Sequence, residues 1–256
     1  MSNRFRLLLT NDDGFDSAGI RRLYNVLSEE YDVVVAAPAK EQSGIGHAFT
    51  FNKPLRYSDL PPGCAMKGYS IDGTPSDCVK FAISHLLREK PDLVVSGMNL
   101  GENSGISGHY SGTVAAAREG AFWRVPSIAF SLCASAGDYL EPYCRRALGI
   151  LKRIVAVGPG PNGRCAFYNV NFPECSPDAC LGVKVTRQSM AFFDDRYRRV
   201  DGPEDGYVVY GDKKDVEMLD TFDSRALMNR YITVTPLSFD ATAEWALPLL
   251  SGLEGP

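Results

Sequence analysis

Apolar residues along this chain gather into short unbroken runs separated by helical stripes. Arg6 to Thr10 (RLLLT), Asp32 to Ala37 (DVVVAA), Asp92 to Ser96 (DLVVS) and Ser127 to Leu132 (SIAFSL) are such runs. Their length and the turn residues that close them predict strands buried on both faces. Between the first two, Ile20, Leu23, Tyr24 and Leu27 recur at helical spacing. Val79, Ala82, Ile83, Leu86 and Leu87 form a second stripe, which predicts a helix from a Ser76 cap to about Leu87. Ser111 opens a third helix, rich in alanine at Ala115 to Ala117, and Tyr139 to Val155 predicts a fourth. Strand, helix and strand in alternation predict right-handed units with parallel strands.

The second half changes character. Ala166 to Val170, Gly182 to Arg187, Tyr207 to Gly211 and Tyr231 to Thr235 are strand-like, with little helix between them. The alternation in Tyr231-Ile232-Thr233-Val234-Thr235 predicts a half-exposed strand. These segments read as β-hairpins projecting from the sheet, which would need cover and so favour oligomerisation. Asp240 to Leu250 predicts a C-terminal helix. The expected fold is α/β: a Rossmann-like three-layer core with a mostly parallel sheet, plus a C-terminal β-hairpin extension and a terminal helix. One domain spans 1–256, with the core in 1–160 and the β-rich oligomerisation extension in 161–256.

Composition narrows the function classes. The chain has 256 residues, 45% hydrophobic and 23% charged, enough to bury a core without staples. Its net charge of -4 argues against a basic surface for a nucleic-acid polymer. No run approaches the roughly 18 apolar residues of a membrane span. The stretch from Met1 leads straight into a strand and lacks the apolar core of a signal peptide. Seven cysteines are scattered without a CxxC pair, which predicts reduced thiols in a cytoplasmic protein.

The candidate chemistry lies after the strand ends. Asp12 and Asp13 follow the first strand, where open α/β sheets bind ligands. Adjacent acids in a tight turn ending at Gly14 repel unless a cation neutralises them, and hard cations favour carboxylate oxygens. A solvated turn is the alternative. Ser43 to Gly46 (SGIG) follows the second strand and offers a hydroxyl to a metal or a phosphate. Ser96 to Gly101 follows the third, and its Asn99 offers an amide oxygen to a cation. Ser111-Gly112-Thr113 starts a helix whose N–H groups suit phosphate, a role compatible with capping by Ser111. Strand ends share one edge, so a metal site and an anion site could meet there, which suggests phosphoryl chemistry. His47 and His109 lie in these loops as candidates for proton transfer or support, whereas His85 reads as a helix residue. Phe192, Phe193 and Tyr197 with Arg196, Arg198 and Arg199 read foremost as a solvated hairpin, with base recognition or a neighbouring subunit as alternatives.

Several motifs together resemble the SurE family, the stationary-phase survival proteins known as 5'-nucleotidases. They are Leu8 to Gly14 (LLTNDDG) with Gly19-Ile20, Ala37-Pro38 with Ser43-Gly44 and Gly46-His47, and Gly73 to Val79 (GTPSDCV). Pro91 to Gly101 (PDLVVSGMNLG), Tyr110 to Ala117 (YSGTVAAA), Asn169 to Pro173 (NVNFP) and Tyr231 to Leu237 (YITVTPL) follow in order. The family usually has a histidine and an alanine-proline pair where this chain has Phe15-Asp16-Ser17-Ala18. The resemblance implies hydrolysis of nucleoside 5'-monophosphates, and in some members of polyphosphate, by homodimers or homotetramers. It implies one divalent metal, Mg²⁺ or Mn²⁺, on residues matching Asp12, Asp13, Ser43 and Asn99. Phosphate contacts are implied near Asn11, Gly44, Ser111, Gly112 and Thr113. Asp12 and Asp13 are the catalytic candidates, with Asp12 preferred as a base. An aspartyl-phosphate mechanism and a non-catalytic nucleotide-binding module are the rival readings.

Overall fold

A nine-stranded sheet organises the described part of the chain, which in the computed structural model comprises residues 5–158, 166–202 and 205–253. Its first half contains β1 (Arg6–Thr10), α1 (Ala18–Ser28), β2 (Asp32–Pro38), β3 (Tyr57–Asp59), β4 (Gly68–Ile71) and α2 (Pro75–Phe81). Then come β5 (Leu93–Leu100), α3 (Ser107–Tyr110), α4 (Gly112–Phe122), β6 (Ser127–Leu132) and α5 (Leu140–Val157). The second half adds β7 (Phe167–Phe172), β8 (Val183–Val185), β9 (Phe192–Phe193), β10 (Arg196–Val200) and β11 (Gly206–Tyr210). It closes with β12 (Lys213–Lys214), α6 (Asp223–Met228) and β13 (Ile232–Leu237).

The sheet order is β3-β4-β2-β1-β5-β6-β7-β13-β8. From β4 through β7 the neighbours are parallel, as the buried runs predict. Alternate residues of β1 face opposite layers. Leu7 and Leu9 pack with Ile20, Leu23 and Leu27 of α1 and with Tyr143, Ala147 and Leu151 of α5. Leu8 packs with Cys78 and Val79 of α2 and Ala116 of α4. Helices thus cover both faces, and the continuous apolar runs are explained. From β1 the chain first adds β2 on one side and later β5 on the other. The carboxyl ends of β1 and β5 therefore flank the switch point, where a crevice opens.

Several features differ from the sequence expectation. The helix expected from Ser76 begins at Pro75 and is capped by Thr74, whose side chain accepts from Asp77 N while Asp77 accepts from Thr74 N. The α geometry ends at Phe81 and continues as a π turn over Ala82–Leu86. Asn99, expected in a loop, lies within β5, which runs on to Leu100 with a register shift against β6 between Ser96 and Asn99. Much of the second half joins the sheet instead of projecting: β7, β13 and β8 extend it. Among the described residues, only β10–β11 and β9–β12 stand off as antiparallel pairs. Finally, the terminal helix is a run of 3₁₀ turns over Glu244–Leu253, with Pro248 inside it. The boundary drawn between 160 and 161, like Cys165, lies outside the described residues.

Candidate active site

The turn after β1 is built by its own side chains. Asn11 Nδ2 donates to Gly14 O at 2.8 Å and to Ser17 Oγ at 2.9 Å. Gly14 takes φ +93°, a left-handed conformation that glycine adopts without strain. The turn after β2 is tied to it, because Gln42 N donates to Asp12 O at 2.7 Å and Phe15 N to Pro38 O at 3.0 Å. The first two loops are thus one hydrogen-bonded unit, which brings Ser43 beside the aspartates.

Asp12, Asp13, Ser43, Gly44, Asn99 and Ser111 line one cleft of about 390 Å³. Asn11, Gly112 and Thr113 do not line it; they stand behind it. Asp12 is only 4% exposed. Its carboxylate accepts from Thr113 N at 3.1 Å and from the Thr113 hydroxyl. A Cβ at Gly112 would come within 2.8 Å of Asp12 Cβ, so the start of α4 can close on Asp12 only as glycine. Ser111 caps the same helix by accepting from Val114 N at 3.1 Å. Asn99 Nδ2 donates to Gly101 O at 2.6 Å, which orients the amide and leaves Oδ1 as its remaining acceptor.

The cleft is strongly acidic. Glu41 and Glu102 join the two aspartates in its wall, and no Lys or Arg is among the described residues that line it. Burial, then Asp12 and then Glu41, push the Asp13 carboxyl up to about 6. Burial also raises Asp12, against the opposing hydrogen bonds from Thr113. Ser43 Oγ donates to Glu41 Oε1 at 2.7 Å. Among the described residues no cluster of three or more His, Cys, Asp or Glu side chains is arranged to hold a metal. A cation here would therefore combine two carboxylates with a hydroxyl and an amide oxygen. That all-oxygen set suits Mg²⁺ or Mn²⁺ and leaves room for water.

The family model for survival protein SurE matches residues 7–195. The chain belongs to the SurE family. A relative from Syntrophobacter fumaroxidans, named 5'-nucleotidase SurE, is 43% identical, covering 93% of this chain and 94% of its own. One of the same name from Flavobacterium psychrophilum is 38% identical, covering 96% of each. The crystal structure of the SurE protein from Aquifex aeolicus superposes with a TM-score of 0.83 at 34% identity, covering 98% of this chain and all of that one.

In this SurE chain the segment Phe15-Asp16-Ser17-Ala18 serves the turn, since the Ser17 hydroxyl receives the Asn11 amide. Neither loop histidine is among the residues that line the cleft. His47 Nε2 lies 2.9 Å from the buried Glu119 Oε2 and its ring stacks on Phe122. Burial opposes ionisation of Glu119, but hydrogen bonds from His47 and Trp123 and the Lys80 charge outweigh it and lower its carboxyl. His47 therefore braces the loop that carries Ser43. His109 Nε2 sits 3.2 Å from Gln188 Nε2, outside the cleft lining. The sequence reading missed Glu41 and Glu102. Glu41 had one signal, its place two residues before Ser43 in the same loop.

Proposed function

We propose that this chain is a 5'-nucleotidase that hydrolyses nucleoside 5'-monophosphates to nucleoside and phosphate, using one divalent cation, Mg²⁺ or Mn²⁺. The observation that carries the reading is the meeting of Asp12, Asp13, Ser43 and Asn99 in one cleft beside the start of α4. A phosphate ester would not enter so acidic a cleft without a counter-charge. Asp12, Asp13, Ser43 and Asn99 would hold the cation, which when bound supplies charge neutralisation at the phosphate and a more acidic water.

The chain's own residues divide the remaining work. Both oxygens of Asp12 accept from Thr113, so Asp12 is the anchored ligand. Asp13, the more exposed of the two, would lend the cation one oxygen and is assigned to take a proton from the attacking water with the other, in place of the Asp12 favoured from sequence. Gly44 and Ser111 line the cleft and are assigned to the phosphate. Asn11, Gly112 and Thr113 act through the turn and the carboxylate they hold. Other phosphomonoesters and polyphosphate belong to the proposed range, because the phosphoryl end of the cleft asks only for a terminal phosphate.

Phosphate release from AMP and GMP with Mn²⁺ tests the reading. Chelation by EDTA should abolish turnover. Asp12→Asn and Asp13→Asn should each lower kcat/KM by about 100-fold or more. Undiminished rates in EDTA, or in both variants, would contradict it.

The apolar surface of Tyr197, Tyr207, Val208 and Val209 on β10–β11, and of Trp245 and Leu249 in the tail, is exposed in the single chain. It supports assembly into homodimers or homotetramers. Light scattering should give the mass of two or four 28.0 kDa chains, and the mass of one chain would refute the assembly. A cytoplasmic location accords with the six free cysteines among the described residues. No helix among these residues is long and apolar enough to cross a membrane. The net charge of -4 supports a small nucleotide over a nucleic-acid polymer.

A further inference from the structure

The cleft that holds the aspartates has one feature that phosphate chemistry does not use. Two aromatic side chains, Tyr110 and Phe193, stand in its wall, 65% and 44% exposed. The rest of that wall is mainly carboxylates, amides, hydroxyls and glycine. Aromatic surface left open inside a polar cleft marks a place where a flat apolar group binds.

The backbones that carry both rings are tied to the site. Tyr110 ends α3 and directly precedes Ser111, the cap of α4. Its carbonyl accepts from Gly46 N at 2.8 Å, which ties it to the loop of Ser43 and Gly44. Phe193 lies on β9, directly across from Lys213 on β12. The Lys213 ammonium pairs with the Glu102 carboxylate and donates to Ser104 O at 3.1 Å and Ser104 Oγ at 2.8 Å. Glu102 Oε2 in turn accepts from Ser104 N at 2.7 Å and Ser104 Oγ at 2.6 Å. Lys213 and Glu102 are 20% and 18% exposed in their side chains, more shielded than most ion pairs here. This latch joins the β9–β12 pair, which stands off the main sheet, to the segment that follows Asn99 and β5.

We infer that Tyr110 and Phe193 form the nucleobase slot of the cleft, and that Lys213 is the positioning residue that holds Phe193 there. The inference rests on the nucleotidase reading and adds to it the residues that separate nucleotides from base-free sugar phosphates. Each ring offers a π-face to any base. Stacking of this kind tolerates both purines and pyrimidines and favours them over a bare sugar by about tenfold or more.

The test compares kcat/KM for AMP with that for ribose 5-phosphate in the presence of Mn²⁺. The wild-type chain should favour AMP. Phe193→Ala and Tyr110→Ala should each lower the AMP to ribose 5-phosphate ratio by about tenfold, through KM for AMP. Because it is a ratio, the readout does not depend on the fraction of folded enzyme. Phe193→Leu, which keeps an apolar side chain without a π-face, should also lower it. Lys213→Met should raise KM for AMP more than it lowers kcat, and Lys213→Arg should restore part of the loss. A ratio unchanged in both alanine variants, or near one in the wild type, would overturn this inference alone. A wild-type chain that releases phosphate from neither substrate would overturn the nucleotidase reading, and this inference with it.

Discussion

Asp13 holds its proton more tightly than an ordinary aspartate, because burial, Asp12 and Glu41 each disfavour its charge. Its carboxyl titrates near 3.8 in the unfolded chain and near 6 in the folded one. The folded state thus binds this proton more strongly. The stabilisation is complete below 3.8 and is lost as pH rises through about 6. A bound cation would relieve the repulsion that appears above that pH. The gain in Tm on adding Mn²⁺ to EDTA-treated protein should therefore be small at pH 5 and grow to pH 7. A gain independent of pH would contradict the assignment of Asp13 as a ligand. The place of the aspartates was legible in the sequence, since residues after a buried parallel strand fall at the crevice of the sheet, although the motif alone fitted a solvated turn as well. Glu41 was not. An acid in a polar loop looks solvated until the hydrogen bond from Gln42 N to Asp12 O folds that loop onto the site. Asn11, Gly112 and Thr113 were expected to meet phosphate; they stand instead behind the lining, because contacts between α4 and the β1 turn direct them at the turn and at Asp12.

At the scale of elements, one buried carboxylate links the start of α2 to the loop that carries Ser43. Asp77 accepts from Thr74 N at 2.9 Å, Thr50 N at 2.8 Å and Thr50 Oγ1 at 2.7 Å. Asp77→Ala would strand these donors and should destabilise the fold by about 2–4 kcal/mol. Urea denaturation checks this, and a loss below about 0.5 kcal/mol would show the cap to be dispensable. The signal for this cap was present in Thr74-Pro75-Ser76-Asp77, although Ser76 drew the assignment. The central strands were legible because residues buried on both faces leave unbroken apolar runs. β13 was misread because its threonines look solvent-facing. They are buried, and Thr235 satisfies its hydroxyl against Thr186 Oγ1 at 2.8 Å. β3 is three exposed residues, Tyr57–Asp59, and carries no periodic pattern to detect.

Across the whole molecule, topology decides where chemistry can occur. The chain lays β2 and β5 on opposite sides of β1, and the crevice between their carboxyl ends receives residues from positions 12 to 111. The β9–β12 pair adds Phe193 from the second half of the sequence, so both halves of the chain contribute to one cleft. The parallel core was legible from the alternation of strands and helices. The path of the second half was not, because β13 and β8 reach the sheet edge through long-range pairing that leaves little local trace. The proposed chemistry depends on the cleft gathering one cation. Isothermal titration of EDTA-treated, dialysed protein with Mn²⁺ measures this directly. It should give one site per chain in the wild type and no measurable site in Asp12→Asn or Asp13→Asn. Equal stoichiometry and affinity in the wild type and both variants would contradict it.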